Sequence, residues 1–318
     1  MKVTELIASH GKTGFSFEVL PPLKGKGIAQ LFRNIDILKE FNPLFINITT
    51  HRSEMVYKNT PDGLYQKVSE RSRPGTVAVA AAIQQKYNIP AVPHIICSGF
   101  SKIETEYALI DLNFLGITNI LILRGDKAKH ESRFIPNENG YSHASELQLQ
   151  INEFNRGYFI DGTKMDIITG ETFSYGVAGY PEKHDESPNL DMDIAYLKQK
   201  IDNGAEYVVT QMFFDNSKYY DFVDRCRKAG INVPIIPGLR PITTIGQLNI
   251  LPKIFHVDMP MQLVSELMKC KDDNDAKEVG VEWCKAQCLD LMAHGVPSIH
   301  FYSLNSTRSV ERVAASIY

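Results

Sequence analysis

From Leu112 onward the chain repeats one pattern: an amphipathic helix, a glycine at its end, two or three residues, then a short run rich in β-branched and aromatic residues. Gly116 precedes the run at 119–123, Gly204 the run at 207–210, Gly230 the run at 233–236 and Gly295 the run at 298–302. A helix-terminal glycine takes the left-handed conformation without a Cβ clash, and a short apolar run behind it reads as a buried parallel strand. Earlier runs at 14–19, 45–50 and 92–97, with 175–179 as the fifth strand, bring the expected number of strands to eight. Helical periodicity falls between them: Ile28, Leu31, Ile35 and Leu38; Ile103, Tyr107, Ile110 and Phe114; Leu190, Ile194, Leu197 and Ile201. Strand and helix in strict alternation predict an α/β fold, a (β/α)8 TIM barrel, with residues 1–318 as one catalytic domain. The rival, an open doubly wound sheet that binds a dinucleotide, carries G-x-G-x-x-G after its first strand, and this sequence has none.

Two stretches interrupt the rhythm. The polar segment 127–140 follows the fourth strand on the side where barrel active sites form, as either a lid or a solvated loop. The segment 157–173 reads as a β-hairpin on the opposite face.

With 318 residues, 43% of them hydrophobic, the chain can bury a large core. A net charge of -3 with no basic stripe argues against nucleic acid or an anionic membrane surface as partner. No apolar stretch follows Lys2 at the N-terminus, so a soluble, unprocessed, cytoplasmic protein is expected. The five cysteines form no C-x-x-C; Cys284 and Cys288 share a helical face with Val281 and Leu291 and are expected in the core, with no metal site.

The expected strand ends carry Glu18, Thr49 and Thr50, His94, Arg124 and Asp126, Tyr180, Gln211, Arg240, and Tyr302 with Asn305. In this fold that end of the barrel holds the chemistry. Glu18, preceded by Phe15 and Phe17 and followed by Pro21 and Pro22, is either a general acid whose pKa an aromatic surrounding raises or an exposed strand-end carboxylate. Arg124-Gly125-Asp126 is either an ion-pair turn or a charged strand mouth, and His94 either a core residue or a functional one. Tyr180 and His184, with Asp193 and Lys200 on the next helix, either hold an adenine and a diphosphate or cap the helix.

The runs Ser16-Phe-Glu-Val-Leu-Pro-Pro22, Pro93-His94, Leu123-Arg-Gly-Asp126, Val177-Ala-Gly-Tyr-Pro-Glu-Lys-His184, Thr210-Gln-Met-Phe-Phe-Asp215, Pro234-Ile-Ile-Pro-Gly238 and His300-Phe-Tyr-Ser-Leu-Asn305 resemble, in order and over nearly the whole chain, the signatures of the methylenetetrahydrofolate reductase family. The resemblance implies a barrel that binds FAD without a Rossmann motif and passes hydride from NAD(P)H through the flavin to methylenetetrahydrofolate in a ping-pong cycle, within one-carbon metabolism and methionine biosynthesis. It assigns Glu18 as proton donor and Asp126 as the carboxylate facing flavin and pterin. Thr49 and Thr50 match nicotinamide-side contacts, and His94, Arg124, Gly125, Asp126, His143, Ala144, Tyr180, His184, Asp193, Tyr196 and Lys200 match flavin contacts. Gln211, Gln247, Tyr302 and Arg308 fall to the folate.

Three positions depart from the family pattern. His143 replaces a tyrosine, Gln199 an arginine beside Lys200, and Ser306 the arginine for the folate glutamate tail, leaving Arg308 as the nearest cation. The chain resembles the short form without a regulatory domain, and a homo-oligomer is compatible with it. A pterin barrel that transfers a methyl group, or a flavin or folate carrier without turnover, would share parts of the pocket but would not need the acid.

Overall fold

The computed structural model describes residues 1–128, 131–166, 171–304 and 306–318. Its strands are β1 (Gly14–Val19), β2 (Phe45–Ile48), β3 (Glu54–Asn59), β4 (Tyr65–Glu70), β5 (Ala91–Ile96), β6 (Asn119–Leu123), β7 (Ser174–Gly179), β8 (Tyr207–Met212), β9 (Ile235–Leu239) and β10 (Ser298–Tyr302). Eight of them close into a barrel in the order β1-β10-β9-β8-β7-β6-β5-β2, while β3 and β4 form a separate antiparallel pair. The helices are α1 (Val3–His10), α2 (Ala29–Leu38), α3 (Thr76–Tyr87), α4 (Lys102–Phe114), α5 (Ala144–Asn155), α6 (Leu190–Asp202), α7 (Asn216–Lys228), α8 (Gln247–Phe255), α9 (Met261–Met268), α10 (Asp273–Ala293) and α11 (Thr307–Ala314). Parallel strands with intervening helices make this the expected (β/α)8 barrel. Among the described residues no helix is long and apolar enough to cross a membrane.

The glycine rhythm has the expected cause. Gly116, Gly204, Gly230 and Gly295 sit at φ 67°, 109°, 79° and 70°, the left-handed region where a side chain would strain the chain. Strand limits move by a few residues: the run expected at 45–50 ends at Ile48, that at 207–210 continues to Met212, and that at 233–236 begins only after Pro234, which has no N–H to give a ladder.

Strand alternation sorts the core. Phe15 and Phe17 are buried and point outward, where Phe15 meets Phe41, Phe301 and Tyr318 with ring centroids 5.4 to 5.9 Å apart. Ser16 points the other way and its hydroxyl lies 3.0 Å from His300 Nδ1, while His300 stacks on Phe45. The aromatic residues beside Glu18 in sequence therefore line the opposite face of β1, and the expectation that they surround its carboxyl is corrected by the period of two.

One helix face is also corrected. On α4 the periodic set Ile103, Tyr107, Ile110 and Phe114 is exposed, Phe114 at 89%, and the buried set is Thr105, Leu109 and Leu112. A 3.6-residue period identifies a helix but does not say which of its faces the barrel covers. On α2 the expected Leu31, Ile35 and Leu38 are buried, whereas Ile28 precedes the helix and is exposed. Cys284 and Cys288 lie buried with Val281 and Leu291 on α10.

In segment 157–173 the described residues form a short antiparallel turn, with a bridge from Tyr158 to Lys164 and the Phe159 N–H donating to the Thr163 carbonyl at 2.9 Å, while the expected hairpin's residues 167–170 lie outside those described. A further hairpin, which the sequence pattern does not mark, is formed by β3 and β4 between β2 and α3, paired from Glu54–Glu70 to Asn59–Tyr65.

Contacts concentrate in two units, one of residues Met1–Val19, Phe32–Asn47 and Ser174–Tyr318, the other of Leu20–Leu31 and Ile48–Phe173. The candidate site residues divide between them.

Candidate active site

In the first unit the strands β8, β9, β10 and β1 end in a polar cluster. Parallel register puts Glu18 opposite Tyr302. The Tyr302 hydroxyl donates to the Thr210 carbonyl at 2.6 Å, the Gly238 N–H donates to Thr210 Oγ1 at 2.9 Å, and Ser303 Oγ donates to the Glu18 carbonyl at 2.6 Å. Gly238 is required here, because a Cβ would run into the Thr210 carbonyl and the Tyr302 ring. The strand ends are thus cross-tied by hydroxyls into a rigid rim.

Glu18 is 6% exposed. Burial pulls the Arg240 guanidinium down from its ordinary pKa while the Glu18 carboxylate opposes that shift, and burial followed by Glu18 and Tyr180 pushes the Tyr302 phenol well above its usual range. Arg240 Nε is buried with no hydrogen-bond partner among the described residues. The cluster brings a buried carboxyl group, a cation and a neutral phenol within electrostatic reach of one another.

A second group in the same unit lies around the end of β7. The rings of Tyr180 and His184 meet edge to face at 4.7 Å. Asp193 accepts from Ser187 Oγ at 2.7 Å and from the His184 N–H at 3.3 Å, and Lys200 Nζ donates to the Ala178 carbonyl at 2.8 Å. Desolvation lowers the Lys200 ammonium to about 8, with the Asp193 carboxylate acting in the opposite sense.

In the second unit, β5 and β6 end beside each other. Thr50 Oγ1 donates to the His94 carbonyl at 2.5 Å, and Ser98 Oγ donates to the Asp126 carbonyl at 2.6 Å. Gly125, at φ 79°, lets the chain turn between Arg124 and Asp126 where a Cβ would strike Ser98. The Arg124 guanidinium lies 4.8 Å from the Phe134 ring, so segment 127–140 packs a side chain on this strand mouth, while its residues Lys129 and His130 lie outside those described. Burial, aided by His51, drives His94 down to about 3, so it is a neutral imidazole at physiological pH. Asp126 is exposed.

The other expected residues take less specific places. Thr49 Oγ1 lies 3.1 Å from His51 Nε2. His143 is the N-cap of α5, with Glu146 accepting from its N–H at 3.2 Å, and Ala144 is the first helical residue. Gln211 Oε1 accepts from the Met212 N–H at 2.9 Å, and the Gln247 side-chain oxygen accepts from the Thr243 N–H at 2.7 Å. Tyr196 is 48% exposed on α6, and Arg308 pairs with Glu311 at 2.8 Å on the surface of α11. Asn305 lies outside the described residues. Sequence reading named Glu182 only as part of a motif, yet its carboxylate accepts from the Asp258 N–H at 2.6 Å and burial raises it to about 7. The distance between 182 and 258 in the chain hides that contact.

A family model described as methylenetetrahydrofolate reductase matches residues 2–317. Methylenetetrahydrofolate reductase (NADH) 1 of Arabidopsis thaliana is 31% identical over 97% of this chain and 49% of its own length. Methylenetetrahydrofolate reductase 1 of Schizosaccharomyces pombe is 32% identical over 95% of this chain and 45% of its own. The chain spans about half the length of these relatives, but 87% of 5,10-methylenetetrahydrofolate reductase of Pectobacterium carotovorum, to which it is 28% identical over 93% of its length. A solved Clostridium thermocellum protein described as binding two copies of 5-methyl-5,6,7,8-tetrahydrofolic acid superposes with a TM-score of 0.57 at 15% identity over 98% of this chain and 96% of that one, a likeness of fold. With the match running from residue 2 to residue 317 and the motif residues at the ends of the barrel strands, the chain belongs to the methylenetetrahydrofolate reductase family.

Proposed function

We propose that residues 1–318 act as one catalytic barrel that reduces 5,10-methylenetetrahydrofolate to 5-methyltetrahydrofolate, with FAD as the bound hydride carrier and NAD(P)H as the reductant in a ping-pong cycle. The observation that carries the reading is Glu18, a carboxyl group 6% exposed at the end of β1, within electrostatic reach of Arg240 and Tyr302. Opening the imidazolidine ring of methylenetetrahydrofolate requires a proton on the departing nitrogen, and a buried acid beside a neutral phenol supplies it. Family membership and the folate bound by the fold relative support the substrate class.

The residues also fit a flavin dinucleotide. Tyr180 and His184 present an aromatic edge and face, and Lys200 is a desolvated ammonium one helix away, suited to a diphosphate. Arg124 places a cation, and neutral His94 an uncharged donor or acceptor, at the ends of β6 and β5. When bound, FAD would supply two-electron hydride chemistry. Thr49 and Thr50 belong to the nicotinamide side and Gln211, Gln247, Tyr302 and Arg308 to the folate, although Arg308 must leave Glu311 to reach a glutamate tail. Relatives named for NADH and for NADPH both occur, so the donor is written NAD(P)H. A cytoplasmic enzyme of methionine biosynthesis completes the proposal, and a homo-oligomer is compatible with it.

The visible spectrum tests it. The protein should purify yellow with FAD, bleach on anaerobic addition of NADH or NADPH, and recover its absorbance when methylenetetrahydrofolate follows. FMN in the heat-released fraction, or no flavin after supplementation, would sink the cofactor assignment. Bleaching without recovery would remove the folate.

A further inference from the structure

We propose that Glu182 is a positioning residue, tying the turn that carries Tyr180 and His184 to the segment after α8, and that this tie is held by the neutral carboxyl group and loosened when the group ionises. The inference deepens the proposed function, since it concerns how the expected flavin contacts are held.

Glu182 lies three residues beyond the end of β7, in a turn closed by the Lys183 N–H donating to the Tyr180 carbonyl at 3.2 Å. Lys183 adopts φ 85°, a left-handed conformation that is unfavourable for a non-glycine residue and persists only where surrounding contacts enforce it. Those contacts are present. Lys183 Nζ donates to the carbonyls of His184 at 3.1 Å and Ser187 at 2.7 Å, and Asp193 holds the His184 N–H. Glu182 ties this turn to the chain beyond α8: its Oε2 accepts the Asp258 N–H at 2.6 Å. A second contact between the same two segments, Asp185 with His256 Nε2 at 3.7 Å, is looser and lies at the surface.

The charges around Glu182 make the tie sensitive to its ionisation. Its Oε1 is buried with no hydrogen-bond partner among the described residues, so the anion would keep one oxygen without a donor. Asp258 on the facing segment and Asp215 before α7 disfavour the anion, Lys218 on α7 and the Asp258 N–H favour it, and burial outweighs all of them. The carboxyl group is raised from 4.5 to about 7. Within its own turn, His184 and Asp185 pair at 3.1 Å.

The sign follows from linkage. In the closed arrangement the group keeps its proton up to about pH 7, whereas a solvated Glu182 in a loosened turn loses it at the ordinary 4.5. Proton binding therefore favours the closed arrangement. That preference is complete below pH 4.5, shrinks roughly tenfold per pH unit above it, and is exhausted once the pH passes about 7.

Amide hydrogen exchange on the full chain without added flavin tests the tie directly. After correction for the intrinsic exchange rate, protection of the Asp258 amide should fall at least tenfold between pH 5 and pH 7 in the wild type. Glu182→Gln, which keeps an accepting oxygen and cannot ionise, should leave protection flat and high over that range, and Glu182→Ala should remove it at every pH. The same pH dependence in wild type and Glu182→Gln, or none in either, would overturn the proposal. A separate titration with FAD at pH 7 should show Glu182→Gln binding at least as tightly as wild type and Glu182→Ala more weakly. Equal affinity in all three would overturn the positioning role, while absence of FAD binding in all three would count against the proposed function and leave the exchange result standing.

Discussion

The two units of the molecule each place a carboxylate at the end of a barrel strand, and they place it differently. Glu18 in the first unit is buried among Arg240, Tyr302 and the hydroxyl ties of Thr210 and Ser303. Asp126 in the second is exposed, beyond a glycine turn that leaves its carbonyl, not its carboxylate, bonded to Ser98. A buried carboxyl group with a cation and a phenol in electrostatic reach is tightly coupled to those neighbours. An exposed one meets solvent, where its neighbours act on it weakly. Under the proposed function the proton falls to one strand end and the electrostatics to the other, and each proposal can be broken separately.

The largest expected effect is on the proton. Glu18→Gln preserves shape and burial but removes the acid, so reduction of methylenetetrahydrofolate should fall by roughly 10² to 10⁴-fold, the range of a lost general acid. Oxidation of NADH with a quinone acceptor, which needs no ring opening, should persist. Equal loss in the two assays would make Glu18 a structural partner of Arg240 and erase the contrast.

Asp126→Asn should act on potential instead. A unit charge about 6 Å from a flavin anion at an effective dielectric of about 20 corresponds to roughly 60 mV for a two-electron couple, as an upper bound. Screening at an exposed site brings the expected rise in potential to a few tens of millivolts. Reduction by NADH should survive or quicken, and reoxidation by methylenetetrahydrofolate should slow, because the flavin becomes less reducing and a cationic iminium loses its counter-charge. An unchanged or lower potential, measured by dye equilibration, would show that the carboxylate does not act on the flavin.

What was legible in the sequence follows the same physical line. The barrel could be read because each left-handed glycine, such as Gly230 at φ 79°, leaves a local mark next to a run of β-formers. The hairpin β3–β4 left no such mark: most of its residues are exposed, so no alternation of polar and apolar side chains records it. The exposed face of α4 was misread because an apolar stripe looks the same whether the barrel or solvent meets it. At the site, single residues such as Glu18 and Arg124 were readable from their strand ends, but the neighbours of Glu18 were not. Arg240 and Tyr302 reach it across β9, β10 and β1, and adjacency in a barrel is a product of closure, not of local sequence.

Within the first unit a smaller effect separates Lys200 from Glu18. Lys200 donates to the Ala178 carbonyl, and desolvation lowers its ammonium from 10.5 to about 8. Between those values the unfolded chain still holds the proton that the folded chain has lost, so the penalty for enclosing the cation is full below pH 8 and lifts as the pH rises toward 10.5. A diphosphate bound beside the ammonium reverses that balance by stabilising the charged form, and binding then takes up a proton above pH 8. FAD affinity should therefore be level below pH 8 and fall by up to about tenfold per pH unit above it, over the range in which the bound form stays protonated. Lys200→Met should bind more weakly at pH 7.5 and lose the alkaline slope, with the two proteins converging as the pH approaches 9.5. Fluorescence titration with FAD across that range decides it. Parallel slopes in wild type and variant would place the titrating group elsewhere and leave Lys200 as a tie between α6 and the end of β7, with no part in holding the cofactor.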